Sequence, residues 1–247
     1  MRPQRLLHEA AHEAAREASR QSAPSGIGMD SAWVRKRMVD RLRAEGLGCE
    51  AVLQAMAQVE RHVFVDSALA TQAYEDTSLP IGHGQTISKP SVVAHMLSLL
   101  FDGELARRSG HLGRTLEIGT GCGYQAALLA VLATELVSIE RLRPLHERAS
   151  RWLLPQVANG LQLIHADGML GYAQRAPYQS IIAAAGGDAL PEIWLEQLAL
   201  GGRLVAPMTH GHFKHQVLMV VDKRLDGSVR QRAHDGVLFV PLRSGTL

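Results

Sequence analysis

Glu117 sits in a short apolar run, Thr115-Leu116-Glu117-Ile118, and three glycines follow at alternate positions, Gly119, Gly121 and Gly123, with Thr120 between the first two. Next comes Tyr124-Gln125-Ala126-Ala127-Leu128-Leu129-Ala130-Val131-Leu132, apolar and helix-forming. Strand, glycine turn and helix in that order make a ligand cradle. Glycine permits the sharp turn and admits a ligand where a Cβ would collide, and the helix opens with free N–H groups beside the loop. The dinucleotide fingerprint sets its third glycine three residues after the second. Here that place is Tyr124, and the third glycine comes one residue early, at Gly123. A second acid, Glu140, ends Val137-Ser138-Ile139-Glu140. It lies about twenty residues past the loop, where nucleoside-binding sheets carry the carboxylate that accepts ribose hydroxyls. A third, Asp167, precedes Gly168 after another apolar run. Asp167-Gly168 alone reads as a simple turn. On one sheet edge with Glu117 and Glu140, Asp167 reads as an acceptor for an adenine amino group.

Thr86-Ile87-Ser88-Lys89-Pro90 is the second stretch with chemistry in it. Two hydroxyls and an ammonium precede a helix that Pro90 suits as its first residue. A helix start favours a carboxylate or phosphate through its free N–H groups and dipole. The plainer reading is that Thr86 or Ser88 merely caps the helix. His83, in the same glycine-containing loop, reads as a substrate contact or a packing residue. His210, His212 and His215 cluster before a predicted strand, but no nearby cysteine or carboxylate completes a metal set, so they read as a solvated loop and no metal is expected.

The elements that must position these groups alternate. From Arg114 onward, strands are expected near Thr115–Ile118, Leu136–Ile139, Leu161–His165 and Ser180–Ala184, with helices between them. These include Pro144 to Leu154 and Pro191 to Leu200, the last closed by Gly201-Gly202. Three more strands are expected at Leu204–Pro207, Gln216–Asp222 and Val237–Pro241, with Asp226-Gly227 turning the chain between the last two. The fold class is therefore α/β: a doubly wound, mostly parallel seven-stranded sheet with helices on both faces and an antiparallel element near the C-terminus. Upstream, helices are expected over Ala32 to Glu45, capped by Asp30 or Ser31, over Glu50 to Val59, and from Pro90 to Leu100. Leu79 to Ser88 reads as a loop. Residues 1–29, rich in Ala, Glu, Arg and His, read as a flexible or helical extension. Residues 30–247 read as one domain, with a helical substrate-side portion over 30–113 and a cofactor-binding α/β portion over 114–247.

Composition bounds the function. A net charge of +2 gives no case for nucleic acid or an anionic membrane, and no apolar run approaches the length of a membrane span. Cys49 and Cys122 make neither a disulfide framework nor a metal spacing, which fits a cytoplasmic protein.

The pattern Glu-x-Gly-x-Gly-x-Gly resembles the S-adenosylmethionine loop of doubly wound methyltransferases. Leu79-Pro80-Ile81-Gly82-His83-Gly84-Gln85-Thr86-Ile87-Ser88 resembles the substrate loop of the protein-L-isoaspartate O-methyltransferases. Leu116 to Gln125, Ser138-Ile139-Glu140-Arg141, Ala166-Asp167-Gly168, Gly201 to Pro207 and Phe239-Val240-Pro241-Leu242 are similar to that family in order and spacing. The resemblance runs from about Ser31 to the end. It implies S-adenosyl-L-methionine as cofactor and methylation of the α-carboxylate of L-isoaspartyl residues in damaged proteins and peptides, as a repair reaction. Partners would be isoaspartyl proteins and peptides, with no nucleic acid or membrane, and the protein itself would be a monomer or weak oligomer. Glu117, Gly119, Thr120, Gly121, Gly123, Glu140, Asp167 and Gly168 are the expected cofactor residues. His83, Thr86, Ile87 and Ser88 are the expected substrate residues, with Ser88 orienting the carboxylate. Four places depart from the family pattern: Lys89, Ser91, Met169 and Ala185-Gly186-Gly187-Asp188. The rival readings are a methyltransferase for another acceptor and a nucleoside-binding protein without turnover.

Overall fold

The computed structural model describes residues 32–155, 160–211 and 215–247. The extension over 1–29, the capping residues Asp30 and Ser31, and His212 fall outside them. Helices α1 (Ala32–Ala44) and α2 (Glu50–Gln58) bury Met38, Val39 and Leu42 together with Val52, Leu53 and Met56 in one apolar cluster. Two 3-10 turns, Arg61–Phe64 and Ser67–Gln72, lead to a hairpin of β1 (Leu79–Gly82) and β2 (Gln85–Ile87). The expected loop over 79–88 is thus mostly a hairpin. Leu79 and Ile81 alternate inward, and His83-Gly84 supplies a two-residue turn with positive φ at both positions, 54° and 67°.

Helix α3 (Pro90–Phe101) opens on its proline and buries Val93, Ala94, Met96, Leu97 and Leu100. Leu97 and Leu100 are fully buried, worth at most about 1.5–3 kcal/mol each. Helix α4 (Glu104–Ser109) stops at Gly110, whose φ of 77° is the left-handed cap that glycine adopts without strain.

The large sheet contains β3 (Arg114–Ile118), β4 (Glu135–Glu140), β5 (Leu161–His165), β6 (Tyr178–Ala183), β7 (Leu198–His210), β8 (His215–Lys223) and β9 (Val229–Gly236). Their spatial order is β5-β4-β3-β6-β7-β8-β9. The first five are parallel and the last two pair antiparallel. Helices α5 (Tyr124–Leu132), α6 (Arg143–Leu153) and α7 (Glu192–Gln197) connect them. Alternate residues of one strand enter different apolar clusters: Ile182 and Val205 join the cluster that holds α1 to α3, while Ile181 and Leu204 join the one that holds Trp194. Both faces of the sheet are therefore covered, which is why its strands read as near-continuous apolar runs. The chain winds from β3 out to β5, then returns to β3's other side with β6. That reversal places a crevice at the carboxyl ends of β3 and β6, where such sheets bind ligands.

Two expectations fail near the C-terminus. The helix expected to reach Leu200 ends at Gln197, and Leu198 already pairs with Tyr178. Gly201-Gly202 closes no helix. It lies inside β7, where Gly201 with φ 78° sits in a register shift of the ladder. Buried Leu198 packs in the sheet cluster, so the apolar Leu198-Ala199-Leu200 run extends a strand rather than a helix. The last strand is Val229–Gly236, not Val237–Pro241. It is polar and mostly exposed, without the apolar signal by which strands are found, and the turn at Asp226-Gly227 sets its pairing with β8. Residues 237–241 run on beyond it as irregular chain, held by a bridge of Pro241 to Gly186, by hydrogen bonds of Val237 and Phe239 to Gln216, and by burial of Phe239.

Candidate active site

The glycine loop leaves β3 at Ile118 and turns at once. Gly119, Gly121 and Gly123 have φ of 93°, 57° and 96°, a region costly for any side chain. The backbone N–H groups of Gly119 and Thr120 both donate to the Ile139 carbonyl, at 2.8 and 3.1 Å, which fastens the loop to β4. Glu140 closes the other end. Its Oε2 accepts the Gly121 N–H and its Oε1 the Leu142 N–H, each at 2.8 Å. The loop rims a cavity of about 390 Å³ at the crevice, in the range of small-molecule sites. Gly119, Thr120, Gly121, Glu140 and Gly168 line it. Gly123 does not; a Cβ there would come within 2.8 Å of Leu153, so this glycine serves the packing of α5 on α6.

Glu117 and Asp167 differ from expectation. Glu117 is fully buried behind the cavity wall rather than in it. Ser138 Oγ donates to its Oε2 at 2.5 Å and is itself 2.6 Å from Thr120 Oγ1, while Oε1 has no hydrogen-bond partner among the described residues. Burial raises its pKa to about 8; the hydrogen bond from Ser138 opposes the shift, and Glu140 adds to it. Glu117 is thus a neutral buttress of the loop at pH 7. Asp167 is not in the cavity lining, and its carboxylate binds backbone: Oδ1 accepts the Met169 N–H at 2.8 Å and Oδ2 the Gly245 N–H at 2.6 Å. Its turn-forming reading is the one seen. It also moors the last residues, whose Leu242, Arg243 and Leu247 line the same cavity.

Across the cavity stand His83, Thr86, Ile87 and Ser88, all in its lining. A second cavity of about 880 Å³ shares Thr86, Ser88, Ala184 and Val240 with the first, and extends past Lys89 and Asp188 to Leu238. Ser88 is not a helix cap. The residue at the cap position is Lys89, and its side chain bonds no helix N–H. Asp76 does that work from a distance: Oδ1 accepts the Ser91 N–H and Oδ2 the Ser91 hydroxyl, both at 2.8 Å. Pro90 has no N–H, and Val92 N–H bonds Lys89. The start of α3 therefore offers no open anion cradle, and the expectation of one does not hold. No hydrogen bond ties the Ser88 hydroxyl to the described residues, whereas its carbonyl accepts Arg61 Nη2 at 2.7 Å.

The family model for protein-L-isoaspartate(D-aspartate) O-methyltransferase matches residues 34–247. The chain belongs to that family. It is 54% identical over 246 residues to a protein-L-isoaspartate O-methyltransferase of Methylibium petroleiphilum, covering 100% of this chain and 89% of the relative. To the Leptothrix cholodnii protein of the same name it is 59% identical over 224 residues, covering 90% and 77%. A solved protein-L-isoaspartate O-methyltransferase superposes with a TM-score of 0.73 at 25% identity, covering 84% of this chain and 65% of the other. The Plasmodium falciparum structure described by that activity, in complex with S-adenosyl-L-homocysteine, gives 0.71 at 23%, covering 85% and 98%, and speaks for the fold.

Two of the places where this methyltransferase departs from its family's pattern now have physical accounts. Ser91 completes the Asp76 cap. Gly186 and Gly187 let the last segment cross closely: Gly186 N–H bonds the Val240 carbonyl, Leu242 N–H bonds the Gly186 carbonyl, and a Cβ on Gly186 would strike Gln216 at 2.3 Å. Met169 follows a glycine whose carbonyl accepts the buried Trp194 indole at 2.9 Å. Nothing in the structure explains Lys89, which is exposed on the second cavity. Arg61 and the Arg243–Leu247 segment carry no local sequence signal, because both reach the site through contacts between distant parts of the chain. Among the described residues no group of three or more His, Cys, Asp or Glu could hold a metal, and no helix is long and apolar enough to cross a membrane.

Proposed function

We propose that the chain methylates the α-carboxylate of L-isoaspartyl residues in damaged proteins and peptides, with S-adenosyl-L-methionine as donor, and that Ser88 orients the acceptor. The carrying observation is a serine hydroxyl without a hydrogen-bond partner among the described residues, at the junction of two cavities, the first of them backed by a glycine loop.

The residues of the first cavity fit an adenosyl cofactor. Each oxygen of Glu140 has accepted one backbone N–H and keeps a lone pair for a ribose hydroxyl. Gly119 and Gly121 present backbone where a Cβ would narrow the cavity. When bound, the cofactor supplies a methyl group already activated by its sulfonium charge. The chain's own residues have three tasks. Glu140 and the loop bind. Ser88, with Thr86 and the Ile87 backbone beside it, holds the acceptor carboxylate, which is ionised at neutral pH and needs no base. Ile81 and Leu242, both lining the first cavity, exclude the water that would hydrate that carboxylate. In this division residues 30–113 serve the acceptor and residues 114–247 the cofactor.

Replacing Ser88 with alanine tests the assignment. Loss of a hydrogen bond to a charged group costs about 1.5–3 kcal/mol, so turnover of an isoaspartyl peptide should fall about ten- to a hundredfold. Cofactor affinity and melting temperature should hold, since no cap is lost. Turnover at the parent rate would remove Ser88 from the site.

A further inference from the structure

Arg61 is fully buried on the 3-10 turn Arg61–Phe64, beside the β2–α3 junction. Its Nε donates to the Ala73 carbonyl and its Nη2 to the Ser88 carbonyl, each at 2.7 Å. The guanidinium carbon lies 4.8 Å from the centre of the Tyr124 ring. Among the described residues Nη1 has no hydrogen-bond partner, and neither does the Tyr124 hydroxyl, although the two groups are close enough for the guanidinium to offset part of the rise that burial gives the tyrosine pKa, to about 12. Tyr124 lines the cofactor cavity. Among the described residues no carboxylate forms an ion pair with Arg61. Asp76 is the acid whose field reaches it, and both Asp76 oxygens are engaged by Ser91. A buried cation normally comes with a counter-ion, because desolvating it alone is costly. This one comes with two carbonyls, a ring face and an open donor, directly behind the residue that meets a carboxylate. A neutral residue could brace a loop at lower cost.

We infer that Arg61 is a positioning residue for the acceptor: it fixes Ser88 through the backbone carbonyl and supplies the buried positive charge that makes this side of the site selective for a carboxylate. The inference rests on the reading of Ser88 given above. The substrate's anion is the missing counter-charge, and the field acts across a short, water-poor path where it is weakly screened. Nothing in the role requires Arg61 to touch the acceptor.

The test compares the parent with Arg61→Gln and Arg61→Lys. Each is titrated with S-adenosylmethionine to count competent sites, then assayed with an isoaspartyl peptide and inhibited with the same peptide carrying an α-carboxamide. The glutamine variant should bind cofactor with full stoichiometry and within about threefold of the parent affinity. Its kcat/KM for the carboxylate peptide should fall about tenfold or more, carried by KM, while the carboxamide peptide binds nearly as before. Lysine keeps the charge but not the fork, so it should recover part of the discrimination. Unchanged kcat/KM and unchanged discrimination in variants that bind cofactor would overturn the inference. So would loss of cofactor binding in both variants, which would make Arg61 a residue of the fold alone. A parent protein that does not methylate the isoaspartyl peptide would instead overturn the functional reading on which this one stands.

Discussion

Glu117 and Glu140 lie 23 positions apart in sequence and end neighbouring strands, yet their surroundings give them opposite tasks. Glu140 faces the cavity and keeps acceptor capacity. Glu140→Ala should weaken S-adenosylmethionine binding about tenfold or more, read by calorimetric titration, with the melting temperature little changed if the Gly121 N–H finds water. Glu117 is sealed behind the loop with its pKa raised from 4.5 to about 8. A group whose folded pKa is raised holds its proton more tightly in the folded state. Its contribution to stability is complete below the unfolded value and declines as pH rises through the folded one. The unliganded protein should therefore melt lower at about pH 8.5 than at about pH 6, and Glu117→Gln, which is neutral throughout, should show a shallower decline. Equal slopes would mean that Glu117 is ionised in the folded protein. The two acids are equally legible as residues in the sequence. Their difference is not, because it depends on Ser138 and on the wall of side chains that the sheet places in front of Glu117.

Helix α3 follows the proposed acceptor residue Ser88, and the side chain that caps its start is Asp76, distant in sequence. Asp76→Ala should cost about 0.5–2 kcal/mol by denaturant unfolding, as loss of a helix cap does. Because Ser88 lies two residues before Pro90, the same change should raise KM for the peptide while leaving cofactor affinity intact. A variant that loses stability with an unchanged KM would separate the cap from the site. Element by element, legibility follows the length of the apolar signal. The long helices and the parallel strands announce themselves because both sheet faces are covered and the strands are mostly apolar. The hairpin of β1 and β2 is hidden by its size. Leu198–Leu200 reads as the end of a helix by composition, and only its pairing with β6 makes it strand. Strand β9 is hidden by its polarity: Arg230, Gln231 and Arg232 sit on an exposed edge, and the ladder with β8 rather than burial fixes them there.

On the scale of the molecule, three stretches far apart in sequence converge on one crevice: the hairpin and Ser88, the glycine loop with Glu140, and the segment from Val240 to Leu247. The first two were legible because each packs its chemistry into a short local stretch, Leu79–Ser88 and Gly119–Glu140. The third was legible only as a resemblance at Phe239–Leu242, since Gly245 reaches Asp167, and Arg141 Nε reaches the Gly245 carbonyl at 2.9 Å, across long sequence separations that no local pattern records. The family match begins at residue 34, so removing residues 1–29 should leave turnover within about twofold and the melting temperature nearly unchanged, because that stretch carries little apolar sequence to bury. The central claim is that the crevice joins an adenosyl donor to an isoaspartyl carboxylate. It is tested most directly by transfer of labelled methyl from S-adenosylmethionine to an isoaspartyl peptide and, in parallel, to its aspartyl twin. Label on the isoaspartyl peptide, released by mild base as a methyl ester is, with the aspartyl twin left unlabelled, is the predicted result. No label on either peptide, or equal label on both, would contradict it.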